Sequence, residues 1–356
     1  MTASPQPQAS DAAVAIVIVN YRVPKMVKRC LGRLAGEKPQ LPKLRVVVVD
    51  GGSADGSNEE LAAVVSCPEY NEWVSFLPLT VNGGFGWANN QAIQRLMLGS
   101  HQPQYIHLLN PDAEIEPGAV AFLVEYLNRH SGVAAVGSQL LEPNGSWTGS
   151  AFSFPTVRGE ISRGARTRAV DRILRVPPVA ILALNATEVD WATGASVMFR
   201  ADALREVGLF DEGFFLYHEE IELMWRLRQA GWTIAFEPRS RVRHVGGGST
   251  GVHSRETSGR LEPRKPRYWY RSRTRYFALT QGQWAALLAF FGWLLGHAIW
   301  WVRRIAGRAP GAKPFDHQLR DHLANGFPRR HDLVHASVPA NSPPSTRPAW
   351  MENRWL

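Results

Sequence analysis

At 356 residues, with 45% hydrophobic and 20% charged residues, the chain is long enough to bury one large core or two modest ones, which excludes a wholly disordered protein. Its two cysteines, Cys30 and Cys67, stand in no metal-like or redox-like spacing, so a reducing compartment in which both stay thiols is expected. The net charge of +9 is uneven: residues 263–315 hold ten Lys or Arg and no Asp or Glu.

Residues 1–12 are Ser, Pro, Gln and Ala without a basic start or an apolar core, which reads as a disordered N-terminus and not as a secretory signal. Val14–Asn20 is a continuous apolar run, the pattern of a parallel strand buried on both faces and too short to cross a bilayer. Pro24 suits the first turn of a helix whose buried side carries Met26, Val27, Cys30, Leu31 and Leu34. A second strand ends in Asp50, and the loop Gly51-Gly52-Ser53-Ala54-Asp55-Gly56-Ser57 opens the helix of Leu61, Val64 and Val65. This alternation predicts a doubly wound α/β domain.

A third strand over residues 73–79 leads into Asn82-Gly83-Gly84-Phe85-Gly86, a glycine-rich turn at the mouth of a helix where backbone amides could face an anion. Residues 105–115 then end an apolar run in a tight polar turn. Pro111 holds Asn110 extended and stops the strand there, so Asp112 stands at a carboxyl end, where open α/β sheets bind ligands. An Asx turn capping the next helix is the structural alternative for the same residues. A helix from about Pro117 to Arg129 and a strand over residues 133–141 follow, and residues 154–179, rich in Arg and Pro, read as a variable excursion of loop and short helix over the site.

Residues 189–199 read as one strand interrupted by Thr193-Gly194-Ala195-Ser196. An aromatic loop from Gly208 to Phe215 feeds a helix of residues 218–230 closed by Gly231, and a last strand over residues 232–237 precedes Arg241 to Thr250, with His244 before three glycines. Residues 284–302 are long enough, at about 28 Å as a helix, to span a hydrocarbon core. Positive charge on both flanks and an amphipathic segment beyond favour a helix lying in the cytoplasmic leaflet, with Tyr268, Trp269, Tyr270, Trp284, Trp293, Trp300 and Trp301 at headgroup level. A buried helix of the soluble body is the structural alternative. After Pro339 a mostly loose tail is expected.

Each chemical candidate is weak alone. Asp50 could accept hydrogen bonds from a base or ribose, the glycine turn could cradle phosphate, and Asp112 with His244 could share a divalent cation with a diphosphate. Glu219, Glu220 and Glu222 begin a helix whose dipole favours carboxylates; Glu222 pairs with Arg226 at i, i+4, and a carboxylate of this cluster could take a proton from an acceptor hydroxyl.

Together and in this order, Val-Ile-Val-Asn-Tyr, Asp50-Gly-Gly-Ser-Ala-Asp-Gly-Ser, Asn82-Gly-Gly-Phe-Gly, Asn110-Pro-Asp112, Thr193-Gly-Ala, Gly208-Leu-Phe-Asp-Glu-Gly-Phe-Phe, His218-Glu-Glu-Ile-Glu-Leu and His244 resemble the inverting family-2 glycosyltransferases of the GT-A type. Within these they look like the rhamnosyltransferase-like members, over about residues 14–251. The resemblance implies a GT-A-type, Rossmann-like α/β fold over residues 13–260; charge, aromatics and composition read the rest as a basic, aromatic, helical membrane-associating region over 261–338 and a loose tail over 339–356. The resemblance implies that Asn20, Asp50, Asn82, Gly83, Gly84, Phe85, Asn110 and Asp112 bind a nucleotide sugar, that Asp112 and His244 hold Mg2+ or Mn2+, that Glu220 is the general base, and that Trp191, Thr193, Gly194 and Glu219 border the acceptor.

The chain departs from the family pattern at Gly51, where Asn is usual, at Asn110, where an acid is usual, and at Glu219-Glu220, where Glu-Asp is usual. The implied reaction is transfer of a sugar, L-rhamnose from dTDP-rhamnose foremost, to a saccharide or lipid-linked saccharide acceptor at the inner face of the cell membrane. GlcNAc, galactose or glucose are alternative sugars, and a non-catalytic glycan-binding or scaffold protein on this fold is a further class. A sugar nucleotidyltransferase would carry a Lys- and Gly-rich phosphate loop near residues 14–24, which is absent there. The company of Trp and a long apolar run makes lipid, not nucleic acid, the expected partner of the Arg cluster.

Overall fold

Apolar runs too short for helices and flanked by Gly, Pro and Asp become strands, and the computed structural model bears this out over the residues it describes, 7, 9–181, 183–244, 264–308 and 317–355. Strands β1 (Val14–Asn20), β2 (Arg45–Asp50), β3 (Val74–Pro78) and β4 (Tyr105–Leu109) alternate with helices α1 (Pro24–Ala35), α2 (Ser57–Val65) and α3 (Phe85–Leu98). Then come β5 (Ala113–Ile115), α4 (Ala119–Arg129), β6 (Val133–Leu141), β7 (Ala151–Phe152), α5 (Val157–Ala165), α6 (Arg168–Leu174), β8 (Ala180–Ile181), β9 (Thr187–Val189), β10 (Trp191–Ala192) and β11 (Ser196–Arg200). The chain closes with α7 (Ala201–Val207), α8 (Glu219–Gln229), β12 (Thr233–His244), α9 (Arg267–Gln281), α10 (Gln283–Ile305), α11 (Gln318–Asn325) and α12 (Ala349–Glu352).

The main sheet runs in the order β3-β2-β1-β4-β11-β6-β12-β5, with β9 also on β12; β1 to β4 are parallel, and β11 lies antiparallel between β4 and β6. Alternate residues of each inner strand feed opposite layers. Ile16, Ile18, Val46 and Val48 join Val27, Leu31, Leu61, Val120 and Leu123 on one face, while Ala15, Val17, Val47 and Val49 join Trp87, Ile93, Leu204, Leu223 and Leu227 on the other. Because β2 and β4 flank β1 on opposite sides, their following loops part at the carboxyl ends and leave a crevice.

Several elements differ from expectation. The interrupted strand at residues 189–199 is three strands: β9 pairs with β12, β10 joins a small sheet with β7 and β8, and β11 enters the main sheet. Small residues at Thr193-Gly194-Ala195 let the chain change sheets within a few residues. The strand expected to end at residue 237 runs on to His244 after an irregularity between Glu237 and Arg241. The Arg-rich excursion forms α5 and α6, and α5 packs on α10 instead of covering the crevice. Helix α10 matches the expected apolar helix, four residues longer. The Arg cluster is largely structural: Arg271, Arg273 and Arg275 are buried, and Arg264 pairs with Asp321, so these guanidinium groups dock α9 onto the body.

Of the aromatics expected at headgroup level, Tyr270, Trp293 and Trp300 are buried, whereas Trp284 and Trp301 are exposed. The expected loose tail lies along α3: Trp87 Nε1 donates to Ser345 Oγ (2.9 Å), Gln91 Nε2 to the Ser345 carbonyl (2.8 Å) and Gln94 Nε2 to Ser342 Oγ (2.8 Å). Polar groups along α3 find their partners there, which a composition-based reading has no means of registering. Of the N-terminal twelve residues, Pro7 and 9–12 are described, and the Ser10 amide donates to the Gln40 carbonyl (2.9 Å).

Arg275 shows how the C-terminal region is fastened. Its Nε and Nη2 donate to Asp211 Oδ1 (3.0 and 2.7 Å), while Nη1 and Nη2 reach the His331 and Val334 carbonyls (3.0 and 2.6 Å). Removing one partner leaves an uncompensated buried carboxylate, so Arg275→Met is expected to cost about 3–5 kcal/mol of unfolding free energy. Urea denaturation checks this, and a loss below about 1 kcal/mol would show that the pair is not an anchor.

Candidate active site

A cavity of about 620 Å³ opens at the carboxyl ends of the parallel strands, within the range of small-molecule and cofactor sites. Each strand of β3-β2-β1-β4 delivers part of its wall: Val19 from β1 and Tyr21 after it, Gly51 after β2, Asn82, Gly84 and Phe85 after β3, and Asn110, Pro111 and Asp112 after β4. Thr193, Gly194, Ala195, Glu219, Glu220 and His244 complete it, with Leu140, Glu142, Thr148, Gly149, Phe215, Leu216, Tyr217 and Tyr268.

Strand register brings His244 to Asp112. β12 and β5 are antiparallel with His244 opposite Ala113, next to Asp112, and His244 Nε2 lies 3.1 Å from Asp112 Oδ1 and 3.3 Å from Asn110 Nδ2. One carboxylate oxygen and one imidazole nitrogen are donors that suit Mg2+ or Mn2+. Two donors on one edge of an octahedral shell with bonds of about 2.1 Å stand about 3 Å apart, so the pair fits a shared cation. Among the described residues no group of three or more His, Cys, Asp or Glu gathers around a common point, so a diphosphate and water would supply the other ligands. The glycines after His244 lie outside the described residues.

The glycine turn is built by close approach. Gly84 has φ +90°, and a Cβ there would run into the Phe215 carbonyl, which accepts from the Phe85 amide (3.1 Å). Any side chain at Gly84 would force the turn away from Phe215.

Glu219 and Glu220 stand at the head of α8, after Tyr217 (φ 71°) and His218 (φ 69°), two consecutive non-glycine residues in the left-handed region. Such backbone is costly and persists only where its surroundings impose it. His218 supplies that constraint: it is half-buried with Nδ1 out of contact with water, its ring lies 6.2 Å from Trp269 and 5.9 Å from Tyr276, and desolvation next to Arg163 pulls its imidazole down to about 3. Burial raises the Glu219 carboxyl well above its ordinary value, and the neighbouring Glu220 charge raises it further. Burial pushes Glu220 up to about 7, against the pull of backbone amides including that of Gly194. Oε2 of each is buried without a hydrogen-bond partner. Glu222 makes the expected pair with Arg226 (2.8 Å), leaving the first two carboxylates to the cavity.

Other expected site residues stand elsewhere. Asn20 and Asp50 are fully buried behind the wall: Asn20 Nδ2 (2.7 Å), Ser53 Oγ (2.6 Å) and the Ser53 amide (2.9 Å) all donate to the Asp50 carboxylate, which thereby shapes the loop that carries Gly51. Gly83 adjoins the wall and turns its carbonyl to Trp350. Trp191 stacks on Phe152 (4.4 Å), donates to the Ser153 carbonyl (3.1 Å) and packs beneath α9 and α10, so it does not line the cavity. Tyr217 and Tyr268, whose rings stack at 6.0 Å, were not predicted as site residues. Tyr268 comes from α9, distant in sequence, and no local pattern marks it.

Residues 11–272 match the model of the family described as glycosyltransferase like family 2. The chain is 32% identical over 253 residues to an N-acetylglucosaminyl-diphospho-decaprenol L-rhamnosyltransferase of Mycobacterium tuberculosis, an alignment covering 66% of this chain and 77% of the relative. It is 25% identical over 221 residues to the low-salt glycan biosynthesis hexosyltransferase Agl10 of Haloferax volcanii, covering 61% and 62%. Among solved structures, the mannosyltransferase PcManGT from Pyrobaculum calidifontis in complex with GDP-Man and Mn2+ matches with TM-score 0.53 at 15% identity, over 90% of this chain and 84% of that one. GalNAc-T7 with UDP, GalNAc and Mn2+ matches with TM-score 0.50 at 13% identity, over 88% and 57%.

The raised Glu220 carboxyl ties stability to pH. Its folded value, about 7, exceeds its ordinary 4.5, so the stability it contributes is fully present below about pH 4.5 and is lost as pH rises towards 7. Glu220→Gln is therefore expected to gain stability relative to the unsubstituted chain between pH 5 and pH 8. Denaturant unfolding at the two pH values tests this; an equal difference at both would mean that the carboxyl titrates normally.

Proposed function

The chain belongs to glycosyltransferase family 2, is a hexosyltransferase and has the GT-A-type fold, and from that premise we propose that it transfers L-rhamnose from dTDP-rhamnose, with inversion, to a lipid-linked saccharide in cell-surface polysaccharide synthesis. The observation that carries this reading is the convergence of the Asp112–His244 pair and the Glu220 carboxylate on one cavity. The relatives' names support the acceptor class and the sugar.

In the proposed reaction, Asn82, Gly84 and Phe85 cradle the donor and Thr193 and Gly194 border the acceptor. Asp112 and His244 would hold a divalent cation, which when bound neutralises charge on the departing nucleoside diphosphate. Glu220 takes the proton of the acceptor hydroxyl as its oxygen bonds to the anomeric carbon and the bond from that carbon to the diphosphate oxygen breaks on the opposite face. A carboxylate with a value near 7 holds an abstracted proton better than an ordinary one and is still ionised in part at neutral pH. Tyr217 and Tyr268 wall the same cavity and would help keep water from the donor.

A mass-shift assay crossing dTDP- and UDP-sugars with lipid-diphosphate saccharides, with added Mg2+ or Mn2+ or with chelator, tests the whole reading. Turnover is expected with a dTDP-sugar and a metal ion, and Glu220→Gln should cut it at least about a hundredfold while nucleotide binding persists. Near-normal turnover by that variant would move the base to Glu219 or elsewhere, and no product across the panel would sink the transferase reading.

The proposal extends to the membrane surface. One face of α10 is apolar and exposed, with Trp284, Leu288, Phe291, Leu295, Val302 and Ile305 at helical spacing and Arg303 and Arg304 at its end. An interfacial helix on anionic lipid has these features. The double substitution Leu288→Asp with Leu295→Asp should abolish sedimentation with phosphatidylglycerol vesicles while sparing turnover of a water-soluble acceptor. Unchanged sedimentation would exclude this face.

A further inference from the structure

The C-terminal segment after α11 lies beyond residue 272, where the family match ends, yet it reaches the donor wall. Three backbone hydrogen bonds tie it to the aromatic loop: the Leu209 amide donates to the Val338 carbonyl (2.8 Å), the Glu212 amide to the Ala336 carbonyl (2.9 Å), and the Trp350 amide to the Glu212 carbonyl (3.1 Å). Ser345 Oγ then bridges inward. It accepts from Trp87 Nε1 (2.9 Å) and donates to the buried Glu212 Oε2 (3.0 Å).

Two indoles close on the glycine turn, Trp87 from α3 and Trp350 from the C-terminal strap. The Trp87 ring lies where a Cβ on Gly83 would stand, and Trp350 Nε1 donates to the Gly83 carbonyl (2.9 Å). The Trp350 ring also meets the Phe215 ring edge-on at 5.3 Å, and the Phe215 carbonyl is the group against which Gly84 is seated. Trp350 thus touches both sides of the contact that sets the shape of residues 82–85, although it is not among the residues lining the cavity.

We propose that Trp350 is a positioning residue for the nucleotide donor, holding the Gly83-Gly84 turn against Phe215 so that the shape of residues 82–85 is set before the donor arrives. This rests on the reading of the cavity as a nucleotide-sugar site. The mechanism is preorganisation: a turn fixed beforehand loses less conformational freedom on binding. The strap therefore acts on donor affinity and leaves the proton transfer at Glu220 untouched.

The test uses the full chain. Trp350→Phe keeps an aromatic ring beside Phe215 and removes the N–H donor together with the indole's second ring, and Ser345→Ala cuts the tie through Trp87. Binding of dTDP and UDP is measured by calorimetry, with donor and acceptor KM, kcat and the melting temperature of each variant. Loss of one neutral hydrogen bond predicts nucleotide binding weakened about three- to tenfold, donor KM raised to match, and kcat and acceptor KM unchanged. Equal nucleotide affinity in Trp350→Phe and the unsubstituted chain would overturn the proposal while leaving the donor site standing. So would a fall in kcat, or a rise in acceptor KM, equal to the change in donor KM. Failure of the unsubstituted chain to bind either nucleotide would overturn the donor-site reading and this proposal with it.

Discussion

The constraint around which the structure is arranged is the withdrawal of two adjacent carboxylates from water at the head of α8. Neighbouring acids repel each other and lose hydration when buried, so such a pair is held only by a rigid surrounding. Here the surrounding is the left-handed pair Tyr217-His218, the amide of Gly194 from the break between β10 and β11, and the aromatic underside of α9. The same arrangement that makes Glu219 and Glu220 costly to ionise makes them effective as proton acceptors. Beside the pair, α9 and α10 pack on Phe214 and Ile221 in an apolar cluster.

The C-terminal helices are therefore part of the site's construction. Glu160 on α5 pairs with Arg163 (2.7 Å) and Arg273, and the Arg163 guanidinium lies over the Trp269 ring at 5.1 Å and the Trp293 ring at 5.9 Å. This network ties α5, α9 and α10 together directly behind His218, whose imidazole feels the Arg163 charge. Arginine suits such buried service because it keeps its charge and its planar face stacks on indole.

The layered core was legible because it rests on local periodicity. Runs such as Val46 to Val49 and the helical spacing of Val27, Cys30, Leu31 and Leu34 carry their own burial pattern. Asp112, His244 and Glu220 could be picked out singly from turn and helix-start patterns, but the meeting of His244 with Asp112 depends on the β12–β5 register, reached only because β12 runs on past an irregularity after Glu237 that no local pattern records. Asp50 shows a different ambiguity. An acid at a strand end can face a ligand or its own loop with the same sequence, and here Asn20 and Ser53 take its oxygens. Arg273 and Arg275 were misplaced for a related reason: a run of positive charge reads as a surface until its carboxylate partners, Glu160 and Asp211, arrive from distant segments.

That same network bears on how α10 could meet a bilayer. A spanning helix must be apolar on all sides or share its polar side with other spanning helices, because the hydrocarbon core offers no partner to a polar group. The face of α10 that carries Trp293, Gly296, His297 and Trp300 is packed on the body, and behind it lie Glu160, Arg163 and Arg273. Drawing α10 across a membrane would strip that packing and either drag charged groups into lipid or leave them unpaired, each at a cost of several kcal/mol. Lying in the leaflet keeps the packed face on the protein and places only the exposed stripe of Leu288, Phe291 and Leu295 in apolar surroundings. Of the two geometries its length allows, the interfacial one is the one that leaves the scaffold of Glu219 and Glu220 intact.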